Sequence, residues 1–166
     1  MGAKIFWLLF IVTASISCGV YSFKDVSIPP EVKTVRVQLI ENRARYINPQ
    51  LSPQLTDRLR QKVNNQTRLT SVQSEDAHYD ISGTITDYTV TTAAISDQQA
   101  ATNRLSINVH IVFRNRLDPT KDFEADVNRN FDFSASLSLN QAEAQLGDVI
   151  IRNMTDDIFN RIFSNW

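Results

Sequence analysis

Alternating apolar and polar residues mark the clearest element of the chain, a strand in its second half. Apolar side chains recur at every second position from Leu105 to Phe113, with polar residues such as Ser106 and His110 between them. Successive side chains of a strand point to opposite faces, so this pattern predicts a sheet with one buried and one wet side. Less regular patterns predict three more strands, at residues 33–40, 79–90 and 123–133.

Two segments carry apolar residues at helical spacing. In the first, Ser52-Pro53 supplies a cap and a first-turn proline, and Asn64-Asn65 marks the end. In the second, near the C-terminus, Asn140 and Glu143 have the spacing of a capping box. The apolar stripe of the first helix consists of Leu51, Leu55, Leu59 and Val63. That of the second consists of Leu146, Val149, Ile150, Ile158 and Ile162, with Met154 at its border.

The segments between these elements also carry signals. Residues 91–102 are small and polar, which predicts a mobile loop, and residues 115–122 predict a hairpin loop with its turn at Asp118-Pro119. Gly83 stands in the middle of a predicted strand, where it indicates either close approach by a packed helix or a bulge.

The order of these elements is β-α-β-β-β-α, which predicts an α+β fold. The simplest arrangement is a four-stranded, mostly antiparallel sheet with two helices packed on one face. The first strand joins through a helical crossover, so one parallel, right-handed pairing is expected. The other face of the sheet is predicted to be polar and uncovered.

The N-terminus carries a targeting signal. Lys4 precedes an apolar run at residues 5–16, which as a helix would rise about 18 Å, less than the roughly 30 Å of a bilayer core. The run therefore predicts a secretory signal at residues 1–17 rather than a membrane span. Small residues lead to Cys18, the single cysteine of the chain, in a pattern that resembles a relaxed bacterial lipobox, with Ser15 where leucine is usual.

Acylation of Cys18 is the expectation that follows, with a free thiol beside an ordinary cleavage site as the alternative. Each buried acyl CH₂ contributes about 0.8 kcal/mol, so two or three chains would hold the protein on a membrane. Residues 18–31 then form an acylated lead-in, and residues 32–166 form one α+β domain. Gly19 in place of an aspartate resembles lipoproteins that are sorted to the outer membrane.

Composition narrows the function. With 17 basic and 18 acidic residues, the net charge of −1 provides no field for nucleic acid, which is not expected as a partner. A single cysteine excludes both an internal disulfide and a cysteine-based zinc site. No convergent catalytic set is present, so neither an enzyme nor a cofactor is predicted, although an envelope enzyme stays open as a third class.

Two groups of acidic residues were candidates for chemistry. Residues 75–80 contain ligand types for a metal, but without a recognised spacing, and a solvated strand entry is the favoured interpretation. Asp122, Glu124 and Asp126 share one face of a predicted strand, where an open, wet surface is favoured over paired acid–base catalysis.

Basic residues lie in two loops. Arg114, Arg116 and Lys121 surround the predicted hairpin loop, and Arg43 and Arg45 follow the first strand. Such groups can bind phosphates through charge-assisted hydrogen bonds. These five residues are the candidate ligand-binding positions, with solvated loop tips as the alternative.

The chain resembles the LptE family of lipopolysaccharide-assembly lipoproteins in its Bacteroidetes form. The resemblance covers essentially the whole chain, and the order and spacing of its motifs carry it. They are Cys18-Gly19 with Tyr21 and Phe23, residues 30–35, the Leu55–Leu59 helix segment, residues 79–85 with Tyr88, Val112-Phe113, and residues 157–166.

Membership of that family implies a non-enzymatic protein on the periplasmic side of the outer membrane, held there by its lipid. Family members plug the β-barrel LptD, support its assembly, and assist insertion of lipopolysaccharide into the outer leaflet. A polar sheet face suits a polar barrel lumen. The basic loop residues are then expected to meet lipopolysaccharide phosphates. A generic envelope adaptor lipoprotein that scaffolds another complex remains the alternative.

Overall fold

The computed structural model describes residues 28–96 and 99–164. The expected signal segment, Cys18, and the aromatic residues Tyr21 and Phe23 lie outside the described residues.

Within the described residues, one mixed sheet of six strands carries two α-helices, and a short 3₁₀ helix (Pro119–Lys121) precedes the last strand, in an α+β fold. The strands are β1 (Thr34–Val37), β2 (Glu41–Asn42), β3 (Thr70–Ser71), β4 (Tyr79–Ser96), β5 (Gln99–Asn115) and β6 (Phe123–Ser134). The helices are α1 (Leu51–Gln66) and α2 (Leu139–Phe163). The strand order is β3-β1-β4-β5-β6, and β2 lies beside β4.

The expected four strands become six because the first one is interrupted and a further one, β3, forms between α1 and β4. After β1 the backbone N–H of Gln38 still donates to Ile81, but that of Ile40 donates to the Thr56 hydroxyl on α1. The chain therefore leaves the sheet and returns as β2. Strand β3 pairs with β1, so the sheet has parallel pairings of β1 with β3, β1 with β4, and β2 with β4.

The prediction of a loop at residues 91–102 is wrong, because β4 and β5 continue through this segment as one long hairpin. Their antiparallel register runs from Tyr79↔Asn115 to Ser96↔Gln99, with irregularities near Thr92 and Ala94. The described side chains from Thr91 to Ala94 are exposed. Because these described side chains bury no face, this stretch needs no apolar alternation, and the sequence carries no signal for it.

The two helices pack on one face of the sheet and form its core there. The five apolar residues of β5 from Leu105 to Phe113 are all fully buried. They belong to one cluster with Leu55 and Leu59 of α1 and Ile158 of α2. Met154, predicted at the border of the α2 stripe, is fully buried in this core, whereas Leu146 is only partly buried.

Gly83 lies where a side chain would collide with the neighbouring strand. A Cβ atom there would stand 3.0 Å from Cδ1 of Ile111 and 3.3 Å from the carbonyl oxygen of His110. The close approach is thus made by β5 rather than by a helix, and the irregularity in register lies between Ile85 and Asp87.

Both helix starts differ from their predictions by one or two residues. α1 begins at Leu51, and the Asn48 side chain accepts from the backbone N–H groups of Gln50 and Leu51 at 2.9 and 3.3 Å. Ser52 donates instead to the carbonyl of Ile40.

The capping box of α2 is formed by Ser138 and Gln141. It was predicted at Asn140 and Glu143, which have the same spacing. Glu143 is therefore free to point elsewhere.

Candidate functional site

The open face is the side of the sheet that neither α1 nor α2 covers, and charged residues follow it across β5 and β6 in the described part of the chain. Arg104 binds Asp132 through two parallel hydrogen bonds of 2.7 and 2.9 Å. This pair raises the pKa of Arg104 through its hydrogen bond and lowers that of Asp132. Ser106 and Asn130 continue the row with a hydrogen bond of 2.8 Å.

His110 stands at the centre of the open face, between two carboxylates of β6. Its Nδ1 lies 3.0 Å from Oδ1 of Asp126, and its Nε2 lies 3.4 Å from Oε2 of Glu124. The hydrogen bond with Asp126, more than the neighbouring charge, raises the pKa of His110. Glu124 also accepts from Arg114 at 2.9 Å, and that hydrogen bond is the main cause of its lowered pKa.

The edge of the open face next to β1 carries a half-buried cluster. Asp80 accepts two hydrogen bonds from Arg36, at 2.9 and 2.7 Å, and two from the Gln38 amide. Burial alone would raise the pKa of Asp80, but these hydrogen bonds outweigh it and leave the pKa below its usual value. The side chains of Arg36 and Asp80 are only 17% and 20% exposed, which sets this pair apart from the others.

The carboxylates considered for catalysis are therefore all engaged. Glu124 and Asp126 hold Arg114 and His110, and Asp122 accepts from the backbone N–H of Asn115 at 2.7 Å. The charges of the open face compensate each other locally, which makes it a hydrated, nearly neutral surface.

The acidic string at residues 75–80 is likewise dispersed over several partners. Glu75 and Asp80 face Arg36, and Asp76 binds Arg116 at 3.1 Å. The His78 Nδ1 accepts from the backbone N–H of Lys33. In the described part of the chain, no three residues of the types His, Cys, Asp and Glu are arranged to hold a metal ion.

The five basic candidate residues fall into two separate groups. Arg114, Arg116 and Lys121 lie at the end of the sheet where β4 begins, because the Arg116 backbone N–H donates to His78. The Arg43 backbone N–H donates to Ile85, farther along β4. These acceptors are seven positions apart, which corresponds to about 23 Å of strand. One phosphate therefore cannot bridge the two groups.

The ionic partners of these residues differ. Arg114 pairs with Glu124, Arg116 with Asp76, and Arg43 with Glu41. Arg45 and Lys121 are exposed and form no ion pair within residues 28–96 and 99–164. These two residues keep an uncompensated positive charge on their loops.

A pocket at the other end of the sheet was not predicted from the sequence. Its volume is about 360 Å³. It lies between the segment that leads into α1, the first half of α2, and Tyr88 of β4. The residues that line it are Tyr46, Asn48, Pro49, Gln50, Leu51, Gln54, Tyr88, Asn140, Glu143, Ala144, Gly147, Ile150 and Ile151.

Glu143 organises the polar side of this pocket. Its carboxylate accepts from the Tyr88 hydroxyl at 2.6 Å and from the Tyr46 hydroxyl at 3.3 Å. The two rings stack with centroids 5.4 Å apart. Burial, and then Glu143, raise the pKa of Tyr88 far above its usual value, so this hydroxyl stays protonated and acts as a donor.

No local signal in the sequence marks this pocket. Tyr46 and Tyr88 are 97 and 55 residues away from Glu143, and the contacts exist only after the sheet and α2 have packed. The spacing of Glu143 from Asn140 also matches a capping box, so the sequence predicts a capping role for Glu143 instead.

Within the part of the chain that the structure covers, neither helix combines the length and apolar character needed to cross a membrane. The acyl anchor predicted at Cys18 lies outside that part.

Solved structures with a similar fold include several from other bacteria. A minor lipoprotein of Acinetobacter baumannii aligns with a TM-score of 0.54 and 16% identity, covering 82% of this chain and 95% of that one. A hypothetical protein of Chlamydia trachomatis aligns with a TM-score of 0.51 and 8% identity, covering 80% and 99%. PelC of Paraburkholderia phytofirmans, a dodecamer, aligns with a TM-score of 0.51 and 11% identity, covering 81% and 88%.

At these identities the solved structures establish similarity of fold alone. Among curated proteins, none matches this sequence. The sequence does match a family model, LptE, which is described as lipopolysaccharide-assembly, over residues 32–162. This match runs from two residues before β1 almost to the end of α2, so the chain belongs to the LptE family of lipopolysaccharide-assembly proteins.

Proposed function

We propose that this protein is a non-enzymatic, lipid-anchored component of the outer membrane that plugs an LptD-type β-barrel. In this role it supports assembly of the barrel and insertion of lipopolysaccharide into the outer leaflet. The observation that carries the proposal is the LptE family match over residues 32–162, which spans both helices almost entirely and all six strands.

The open face is the surface that we assign to the barrel. A plug inside a polar lumen must present polar groups without a large excess of one charge, since unpaired charges lose hydration there. Arg104 with Asp132, and His110 with Asp126, meet that condition through local pairing. The helices, by contrast, use their apolar faces within the protein itself.

Site-specific crosslinking in intact outer membranes tests both the partner and the surface. A photoreactive residue at Asn128 stands on the open face, and a matched one at Arg58 stands on the solvent side of α1; both positions are exposed. We expect a large barrel protein to crosslink from position 128 and much less from position 58.

Two results would count against the proposal in different ways. Failure to capture a barrel protein from either position contradicts the plug function. Capture from position 58 alone contradicts the assignment of the open face but leaves the partner in place.

Depletion separates this function from that of a general envelope adaptor. Loss of surface lipopolysaccharide on depletion supports the assembly role, whereas an intact lipopolysaccharide surface supports the adaptor alternative.

The anchor is proposed to be an acylated Cys18, after removal of residues 1–17. Two or three acyl chains contribute enough apolar burial for stable membrane attachment, since each CH₂ adds about 0.8 kcal/mol. Cys18→Ser should remove the acylation and leave a soluble or uncleaved form in fractionation experiments. A cleaved Cys18→Ser protein that still sediments with membranes would show that something else anchors the chain.

The basic loops are proposed to contact lipopolysaccharide phosphates, with Lys121 and Arg45 as the residues that are not already paired. Arg114, Arg116 and Arg43 can exchange partners at low cost, because exposed ion pairs contribute little. Charge reversal at Arg114 and Arg116 should weaken lipopolysaccharide binding, most of all at low salt. Unchanged binding in titrations at two salt concentrations would remove these residues from the site.

A further inference from the structure

The pocket between α1, α2 and Tyr88 has no part in the function proposed above, and its size and shape suit a small ligand. Its volume of about 360 Å³ falls within the range of small-molecule sites. Leu51 and Ile150 are buried in its walls, while Tyr46 is 38% exposed. The pocket thus joins an apolar floor to an entrance that solvent can reach.

Gly147 leaves space that the fold itself does not need. A Cβ atom at this position would meet nothing within 4 Å. Glycine weakens the interior of a helix, and here no close contact or unusual backbone angle requires it. The absence of a side chain widens the pocket at the middle of its α2 wall.

The polar groups of the pocket retain hydrogen-bonding capacity. Glu143 accepts from two tyrosine hydroxyls, and a carboxylate offers about four acceptor positions, so roughly half remain. Of the side-chain amides around it, that of Asn48 already accepts from two backbone N–H groups at the start of α1, and Gln54 donates to Gln50 at 3.3 Å. The amide of Asn140 and the remaining groups of Gln50 and Gln54 are left for a ligand. An amide both donates and accepts, which suits hydroxyl groups that do the same.

The charge of the pocket disfavours anionic ligands. Its lining contains one carboxylate and no arginine, lysine or histidine. Leu51, the first residue of α1, and Asn140, the second residue of α2, border it, and the partial positive charge of these helix starts offsets part of the charge of the carboxylate. A neutral ligand therefore fits this field better than an anion or a cation does.

We propose that this pocket binds a neutral sugar ring. The exposed part of the Tyr46 ring, held by stacking on Tyr88, would pack against the apolar face of the sugar. Glu143 would accept from sugar hydroxyls, the amides would bind the remaining ones, and the space beside Gly147 would admit the ring. This site does not depend on the barrel partner, so either proposal can fail while the other stands.

Saturation-transfer NMR on the full chain, in a detergent without a sugar headgroup, tests the proposal. The probes are the methyl glycosides of glucose, galactose and mannose, with methyl glucuronide as an anionic analogue and cyclohexanol as an apolar one. We expect saturable binding of at least one neutral glycoside, and about tenfold weaker binding of the glucuronide because of Glu143.

Variants locate the binding in the pocket. Gly147→Leu should abolish it by filling the space, whereas Gly147→Ala, a control that adds one methyl group, should leave it within about twofold. Tyr46→Ala should weaken it about tenfold through loss of the stacked ring. Circular dichroism confirms that each variant is folded.

Three results would overturn the proposal. One is the absence of saturable binding for every glycoside. Another is equal binding of cyclohexanol or the glucuronide, which would reveal a nonspecific hole. The last is unchanged binding in folded Gly147→Leu and Tyr46→Ala proteins, which would place the sugar elsewhere.

Discussion

The two faces of the sheet are built from the same strands but follow different rules. On β5, Ile107 and Val109 point to the helices and are fully buried. Ser106, Asn108 and His110 point the other way and form hydrogen bonds or ion pairs with β6. One face is covered by the helices through apolar packing, whereas on the open face the polar side chains pair with one another.

This difference separates the source of stability from the surface available to a partner. Burial of an aliphatic side chain contributes about 1.5–3 kcal/mol, whereas an exposed ion pair contributes about 0–1 kcal/mol. The fold therefore depends on the helix-covered face. The polar pairs of the open face keep its charge balanced, and the loss of one exposed pair should cost little stability.

The strongest test of this division compares adjacent residues of β5. Ile107→Ala should lower the free energy of unfolding by about 3 kcal/mol, because it leaves a cavity in the closed core. Ser106→Ala removes only an exposed hydrogen bond to Asn130 and should change stability by less than about 0.5 kcal/mol. Urea unfolding followed by circular dichroism measures both.

Similar losses in the two variants would show that the open face contributes to stability as the core does. Ile107→Val serves as the graded control, since it removes one methylene and should cost about 1 kcal/mol.

A weaker effect is expected at Asp80, where the open face is half-buried. Asp80→Asn weakens the hydrogen bonds from Arg36 and Gln38 and should cost about 2 kcal/mol, since bonds to a charged group exceed neutral ones. The folded pKa of Asp80 lies below its ordinary value of 3.8. The stabilisation is therefore present above pH 3.8 and is lost as the pH falls through the lower, folded value.

The matched control is Asp132→Asn, which disrupts the exposed pair with Arg104. It should destabilise the protein clearly less than Asp80→Asn does. Equal effects in urea unfolding at pH 7 would mean that the burial of the Arg36–Asp80 pair has no bearing on its contribution.

The elements that bury a regular apolar face were predictable from the sequence. The alternation in β5 and the helical stripe from Leu55 to Val63 each predict which side is buried, and these side chains are buried in the structure. The polar, uncovered second face followed from the same alternation. The side-chain partners on that face depend on the register between β5 and β6, which the alternation alone does not give.

Elements with no buried face, or with competing local signals, were not predictable. β2 and β3 are only two residues each and exist through pairing with β4 and β1. The ribbon at residues 91–96 and 99–102 has backbone pairing but no apolar pattern. The pocket joins residues that are distant in sequence. In addition, the spacing of Glu143 from Asn140 is that of a capping box, although the capping box forms at Ser138 and Gln141.

The smallest expected effect on stability is that of His110, the titratable residue at the centre of the open face. Its folded pKa is raised above 6.5, chiefly by the hydrogen bond with Asp126, so its protonated form stabilises the fold. That contribution is fully present below pH 6.5 and disappears as the pH rises through the folded pKa. The side chain is 36% exposed, which screens the interaction and keeps the effect below that of Asp80.

NMR titration of the His110 ring measures this pKa directly. Asp126→Asn should bring it back toward 6.5, while Thr84→Ala, on the strand opposite, should leave it unchanged because threonine carries no charge. If the pKa of His110 stays the same in Asp126→Asn, the polar groups of the open face do not act as pairs. The contrast between a packed face and a paired face would then reduce to a contrast between a packed face and a hydrated one.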